Sequence, residues 1–178
     1  MKRLVLTDDL ITGIEAVDDQ HRELYTWGNE LLFPEGLVAG DDDFANGLRY
    51  MAAYVDFHFG TEEEAMRRFG YERVDAHVWQ HDHFRREIRR IREQAILHGP
   101  TRALKHELHY LLQDWFMGHI RFADGQFAAW LKERPRLERI SPANEDALRQ
   151  MGLDPELVRV VRPEGLVSPA QARAQLDE

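Results

Sequence analysis

The feature that most constrains this chain is a set of four segments whose apolar residues recur at helical spacing, each ended by proline or glycine. Gly70 closes the second segment and Gly99-Pro100 closes the third. The segments cover residues 18–33, 41–69, 73–98 and 101–134. Short loops between successive helices make them antiparallel neighbours, so the pattern predicts an all-α fold, an up-down-up-down antiparallel four-helix bundle.

Both ends of the chain differ from these segments. Residues 1–17 contain short apolar runs and Gly13, and predict an ordered N-terminal arm rather than a helix. Toward the other end, three pairs resemble a helix N-cap followed by proline: Ser141-Pro142, Asp154-Pro155 and Ser168-Pro169. Three short helices and a partly ordered tail both fit this pattern. We therefore expect a bundle domain over residues 1–134 and a C-terminal extension over residues 135–178.

Charge and cysteine content exclude several classes of function. The 178 residues include 23 basic and 32 acidic ones, a net charge of −9, so we expect no nucleic acid and no anionic membrane as partners. The absence of cysteine excludes disulfides, thiolate catalysis and cysteine-ligated zinc or iron–sulfur sites. The N-terminal sequence lacks the apolar core of a signal peptide, and no apolar run approaches a membrane span. We therefore expect a cytoplasmic protein.

The apolar face of each predicted helix also carries polar residues that are costly to bury. In the second helix, His58 shares a face with Val55 and Phe59, and Glu62 follows one turn later. The full set is His21 in the first helix, His58 and Glu62 in the second, His77 and His81 in the third, and His119 and Asp124 in the fourth. In a regular α-helix, Asp124 would point to one side of His119, because five residues exceed a turn.

Each of these residues alone has an ordinary explanation. A lone core histidine is usually hydrogen-bonded and structural, and a histidine four residues before a glutamate is often a surface pair. The joint pattern is different, because five imidazoles and two carboxylates converging between four helices would be very unfavourable if unpaired. Bound cations remove that cost. The seven residues therefore predict a metal centre.

The number of donor atoms indicates what kind of metal centre these residues would form. If both carboxylates and an oxide or hydroxide bridge two six-coordinate ions, one coordination position stays open on the ion with fewer histidines. That is the layout of an open site on a di-metal pair. Nitrogen and carboxylate donors without sulfur suit iron or manganese, and an open position on ferrous iron suits dioxygen.

Over about residues 6–131 the chain resembles the hemerythrin family. The matching motifs are Gly13-Ile14 with Asp18-Asp19-Gln20-His21, then His58-Phe59-x-x-Glu62-Glu63-x-x-Met66, His77-x-x-x-His81-x-x-Phe84 and Trp115-x-x-x-His119-Ile120-x-x-x-Asp124. The resemblance implies two iron ions bridged by Glu62, Asp124 and an oxide or hydroxide. By the same analogy, the saturated iron is held by His77, His81 and His119, and the open one by His21 and His58.

The resemblance also implies reversible dioxygen binding, as a carrier, store or sensor, and no enzymatic activity. The aligned positions that would line an oxygen pocket are Leu24, Phe59, Trp115, Phe116, Met117 and Ile120. Plain bundle core explains these six residues equally well. The alternative function is a di-iron redox enzyme, oxidase-like or peroxidase-like, or a protein that handles nitric oxide. Histidine-rich ligation, rather than the paired ExxH motifs of ferritin-like enzymes, favours binding.

Two further expectations concern residues outside the motifs. Residues 135–178 lie beyond the resemblance and could dock a protein partner or act as a lid. Four histidines match no ligand position and are expected to be surface or structural residues: His83, His98, His106 and His109.

Overall fold

The fold is an all-α bundle of four long helices, as predicted. The computed structural model describes residues 1–34 and 41–133, and no strand occurs in those two ranges. The first three helices are Glu15–Leu32, Asp41–Phe69 and Val74–His98. The fourth helix consists of five consecutive segments, Arg102–Tyr110, Leu111–Phe116, Met117–His119, Ile120–Asp124 and Gly125–Lys132. The predicted extension, residues 135–178, lies outside the described residues, so the domain division stays a prediction.

Glycine ends the second and third helices where the sequence predicted. Gly70 follows Phe69 with φ +71°, and Gly99 follows His98 with φ +73°. Positive φ is costly for residues with a Cβ and cheap for glycine, so each glycine reverses the chain at little cost. The next helix then returns antiparallel to the last. None of the described helices is long and apolar enough to cross a membrane.

The fourth helix begins with a side-chain cap at Thr101. The Thr101 hydroxyl accepts a hydrogen bond from the backbone N–H of Leu104 at 3.2 Å. We expect Thr101→Ala to lower the free energy of unfolding by about 1 kcal/mol, because one N–H of the first turn loses its partner. Thr101→Ser keeps the oxygen and is the matched control. Urea denaturation of the two variants tests this, and equal losses in both would contradict it.

The first helix starts at Glu15, three residues before the predicted Asp18. The Asp18 carboxylate accepts hydrogen bonds from the N–H and hydroxyl of Thr12, both at 2.8 Å, and from the N–H of Gly13 at 2.9 Å. Asp18 thus resembles an N-cap in the sequence but acts from inside the helix on the residues before it. The arm is ordered as predicted, although it contains one short 3-10 helix, Asp8–Leu10.

The N-terminal arm is attached to the fourth helix as well as to the first. Arg121 donates to the Asp9 carboxylate at 2.9 Å, and the Lys132 ammonium donates to the Thr12 carbonyl at 2.7 Å. These contacts join residues more than a hundred positions apart in the sequence. Since Arg121 belongs to the segment Ile120–Asp124, the arm braces the part of the fourth helix that carries Asp124.

Apolar side chains fill the space between the helices on both sides of the polar residues. Along the second helix, Val55 and Phe59 are fully buried in the large cluster, and Met66 is fully buried in a smaller one with Tyr71 and Phe127. Of the polar positions of that helix, His58 lies among residues of the large cluster and Glu62 lies between the two clusters. Water is therefore excluded from these polar side chains on both sides. The low local dielectric constant strengthens the electrostatic interactions among them.

Candidate metal centre

All seven predicted ligand residues meet in one buried cluster. No member has more than 3% of its surface exposed. Their donor atoms form two overlapping groups within 4.8 Å: Glu62, His77, His81, His119 and Asp124 in one, and His21, His58 and Glu62 in the other. The first group is the three-histidine end of the cluster, and the second is the two-histidine end.

At the three-histidine end, each imidazole brings its Nε2 atom to a carboxylate oxygen. His77 Nε2 and His119 Nε2 lie 3.1 and 3.0 Å from Asp124 Oδ1. His81 Nε2 lies 3.2 Å from Glu62 Oε2. These donor atoms all lie within 4.8 Å of one another, close enough to bind one metal ion together.

The two-histidine end shares the carboxylates with the first. His21 Nε2 lies 3.4 Å from Asp124 Oδ2, whereas the other oxygen of Asp124 faces His77 and His119. The rings of His21 and His58 are 4.8 Å apart. Because Glu62 belongs to both groups and Asp124 presents one oxygen to each, both carboxylates are placed to bridge two ions.

The alignment of Asp124 corrects the prediction that it would point to the side of His119. The segment Ile120–Asp124 is π-helical, and the N–H of Gly125 donates to the carbonyl of Ile120, five residues earlier. Wider π turns place residues five apart on the same face, so Asp124 falls beneath His119. The regular α-helix assumed from the sequence was the source of the error.

Hydrogen bonds behind the cluster fix three of the imidazole rings. In each, the ring Nδ1–H donates to a side-chain oxygen: His58 to Gln20 at 2.9 Å, His119 to Gln80 at 3.0 Å and His81 to Glu63 at 2.9 Å. This leaves the Nε2 lone pair of each ring directed at the centre, as metal ligation requires. The sequence did not reveal these partners, because Gln20 and Gln80 each bond a histidine of another helix.

Several atoms at the centre lack a hydrogen-bond partner within the part of the chain that the structure describes. They are Nε2 of His21, His58 and His77 and both carboxylate oxygens of Glu62 and Asp124. Buried polar atoms left in this way are expensive, and metal ions that accept their lone pairs remove the cost. A donor set of nitrogen and carboxylate oxygen suits iron. The residues therefore fit a di-iron centre.

Burial and neighbouring charges shift the pKa values of the cluster in different directions. Burial lowers the pKa of His77, but hydrogen bonds to the Asp124 and Glu62 carboxylates outweigh burial and raise that pKa to about 9, so a metal ion bound there would displace a proton. Burial lowers the pKa of His58 to about 3, so that imidazole is neutral, the form that binds metal. Burial and the nearby Asp124 carboxylate both raise the pKa of Glu62, but the surrounding histidines outweigh them and hold that pKa below its ordinary value. The carboxylate is therefore ionised at neutral pH.

Of the six predicted pocket residues, four are almost completely buried: Leu24, Phe59, Phe116 and Ile120. Phe116 contacts the two-histidine end, with its ring centre 5.6 Å from His21 and 6.1 Å from His58. Apolar contact at this end is what an oxygen pocket requires. That these side chains contact bound oxygen stays a prediction.

The other two predicted pocket residues, Trp115 and Met117, are only partly buried. The Trp115 ring stacks on His119 at 5.0 Å and lies 5.8 Å from His83, so it packs at the three-histidine end.

The four remaining histidines lie outside the cluster, as predicted. His98 and His106 are exposed, and the half-buried His109 ring bonds the Lys2 carbonyl at 2.8 Å.

Comparison with known proteins gives a consistent set of relatives. Residues 12–131 match the model of the hemerythrin HHE cation binding domain. Bacteriohemerythrin of Pseudomonas aeruginosa (strain LESB58) is 32% identical over 129 residues, 71% of this chain and 80% of the relative. Bacteriohemerythrin of Stenotrophomonas maltophilia is 30% identical over 132 residues, 74% and 84% of the two chains. Bacteriohemerythrin of Clostridium acetobutylicum is 26% identical over 126 residues, which cover 69% of this chain and 97% of the relative. No solved structure matches the chain.

Proposed function

The chain belongs to the hemerythrin family, whose domain holds two iron ions and binds oxygen, and from this premise we propose that it binds dioxygen reversibly. The observation that carries the proposal is the asymmetry of the buried cluster. Three histidines face the shared carboxylates on one side and only two on the other. Equal coordination of two ions then leaves a free position at the two-histidine end, where a small ligand can bind.

We assign His77, His81 and His119 to one iron, His21 and His58 to the other, and Glu62 and Asp124 to both. The assignment is supported by the two oxygens of Asp124, which face opposite ends of the cluster. It is also supported by Glu62, whose oxygens lie close to both histidine groups. The identity and role of each ligand remain our proposal.

When bound, a ferrous pair supplies an open coordination position and two electrons that dioxygen can accept reversibly. The protein side chains control what reaches that position. Phe116 packs against both His21 and His58, and Leu24 is fully buried one turn after His21. These hydrocarbon walls favour an uncharged diatomic ligand over water and anions, whose desolvation is costly. Slow access of water and anions in turn slows irreversible oxidation of the iron.

We further propose a binding role rather than catalysis. The ligand set is rich in histidine, and the ring that packs against both His21 and His58 belongs to Phe116, which cannot donate or accept a proton. The curated relatives carry the name bacteriohemerythrin. Nitric oxide as a second ligand, a cytoplasmic location and a protein partner for residues 135–178 remain predictions.

The visible spectrum of the iron-loaded, anaerobically reduced chain tests the proposal. We expect a charge-transfer band to form when air is admitted and to disappear when the solution is purged with argon. A zinc-loaded chain is the matched control, since zinc has no redox chemistry and should give no band. Direct conversion to a stable diferric spectrum that purging does not reverse would contradict reversible oxygen binding and favour a redox role.

A further inference from the structure

One imidazole of the cluster has a charged partner behind it. Within residues 1–34 and 41–133, His58 and His119 each donate their Nδ1–H to a glutamine, whereas His81 donates to the carboxylate of Glu63 at 2.9 Å. Glu63 follows Glu62 in the sequence but points away from the centre. Its exposed fraction is 8%, low for a carboxylate that binds no metal.

Two arginines also bond the Glu63 carboxylate, Arg85 at the same oxygen as His81 and Arg67 at the other. Arg85 Nη1 lies 2.8 Å from Glu63 Oε1, and Arg67 Nη2 lies 3.3 Å from Glu63 Oε2. The Arg85 side chain is only 14% exposed and also donates to Asp56 at 3.0 Å and Asp82 at 3.1 Å. Both carboxylate oxygens of Glu63 are therefore bonded, and a chain of ion pairs leads from His81 to the surface.

The His81 ring is also fixed by stacking. Its plane is nearly parallel to the Phe59 ring, 6° apart, with ring centres 3.8 Å from each other. The Arg85 guanidinium lies over the same Phe59 ring at 5.2 Å. Packing therefore sets the plane of the imidazole, and the bond to Glu63 sets its rotation within that plane. The remaining nitrogen, Nε2, is 3.2 Å from Glu62 Oε2.

We propose that Glu63 is a positioning residue, which holds His81 as the Nδ1–H tautomer with Nε2 directed at the iron, and that Arg85 holds Glu63 in place. The inference rests on the proposed ligand set. Glu63 touches no metal and acts only through His81. The hydrogen bond from His81 to Glu63 is made to a charged carboxylate, whereas His58 and His119 donate to neutral amides.

The competing explanation is that Glu63 and Arg85 form an ion pair that only stabilises the fold. The two explanations differ in what they predict for metal retention. A structural ion pair affects the metal-free and iron-loaded chains alike, whereas a positioning residue affects how tightly iron is held.

The test compares Glu63→Leu and Glu63→Gln with wild type. Glu64→Leu is the matched control, since Glu64 is the adjacent carboxylate and is exposed. Iron per chain and the rate of iron loss to a ferrous chelator are measured, together with thermal unfolding of the metal-free chains. We expect Glu63→Leu to weaken iron binding by about 10- to 100-fold, the usual effect of removing such a partner. Glu63→Gln keeps an acceptor oxygen and should weaken iron binding less. Glu64→Leu should hold iron as tightly as wild type.

Each outcome supports or overturns the inference. Wild-type iron retention in Glu63→Leu, with or without a lower melting temperature of the metal-free chain, would leave only the structural ion pair. If Glu63→Leu does not fold, Glu63→Gln and Arg85→Met decide, and unchanged iron loss in both would overturn the proposal. A wild-type chain that holds no iron would overturn the proposed function and this inference together, which distinguishes the two failures.

Discussion

Replacing Glu62 by alanine is expected to reduce the iron content from two ions per chain to one or none. Glu62 is the residue that belongs to both donor groups, so its removal weakens both ends of the cluster at once. The loss should also appear in stability. At free iron a hundred times the dissociation constant of a site, each occupied site stabilises the wild-type chain by about 2.7 kcal/mol over the metal-free form, and the variant should gain little.

Metal analysis and thermal denaturation with and without iron measure both effects. Glu64→Ala is the matched control, because it removes an exposed carboxylate two positions away. It should keep two irons and the full stabilisation by metal. A Glu62→Ala chain that still holds two irons and shows the oxygen-dependent band would contradict the bridging assignment.

Replacing Phe116 by alanine is expected to lower the free energy of unfolding by about 3–5 kcal/mol, the range for a fully buried phenylalanine. The ring packs against both His21 and His58 and also lies 5.5 Å from the Phe84 ring. Its loss opens space beside the two-histidine end that water and anions can enter. We therefore also expect the oxygenated spectrum to decay faster to the oxidised one.

Phe44→Ala separates the two effects. Phe44 is 4% exposed and lies in the same apolar cluster, but it precedes His58 by about 21 Å along the second helix at 1.5 Å per residue. Denaturant unfolding should show a comparable loss of stability in both variants. Faster oxidation only in Phe116→Ala supports a protective wall, and equal oxidation rates in the two variants would assign the effect to general destabilisation.

The helices could be predicted because local chemistry defines them. Gly70 and Gly99 adopt positive φ and end two helices at the predicted residues, and Thr101 caps the fourth. The start of the first helix could not be predicted in this way, because Asp18 has the side chain of an N-cap but bonds Thr12 and Gly13 from within the helix. Only the three-dimensional path of the arm distinguishes these two uses of an aspartate.

The seven residues of the cluster could be predicted because each is an ionisable group on an apolar helical face. Their arrangement was only partly predictable. Asp124 is aligned with His119 by π-helical turns, which no simple periodicity indicates. The partners behind the cluster were also missed. Gln80 is next to His81 in the sequence but bonds His119, a contact between two helices that adjacency in the chain does not reveal.

Anomalous diffraction at the iron edge, from crystals of the iron-loaded chain, tests the central claim most directly. We expect two iron peaks about 3.5–4 Å apart, the separation typical of paired metal ions. One should lie against His77, His81 and His119, and the other against His21 and His58, with Glu62 and Asp124 between them. A single peak, or peaks away from these seven residues, would contradict the di-iron assignment and the oxygen-binding function that rests on it.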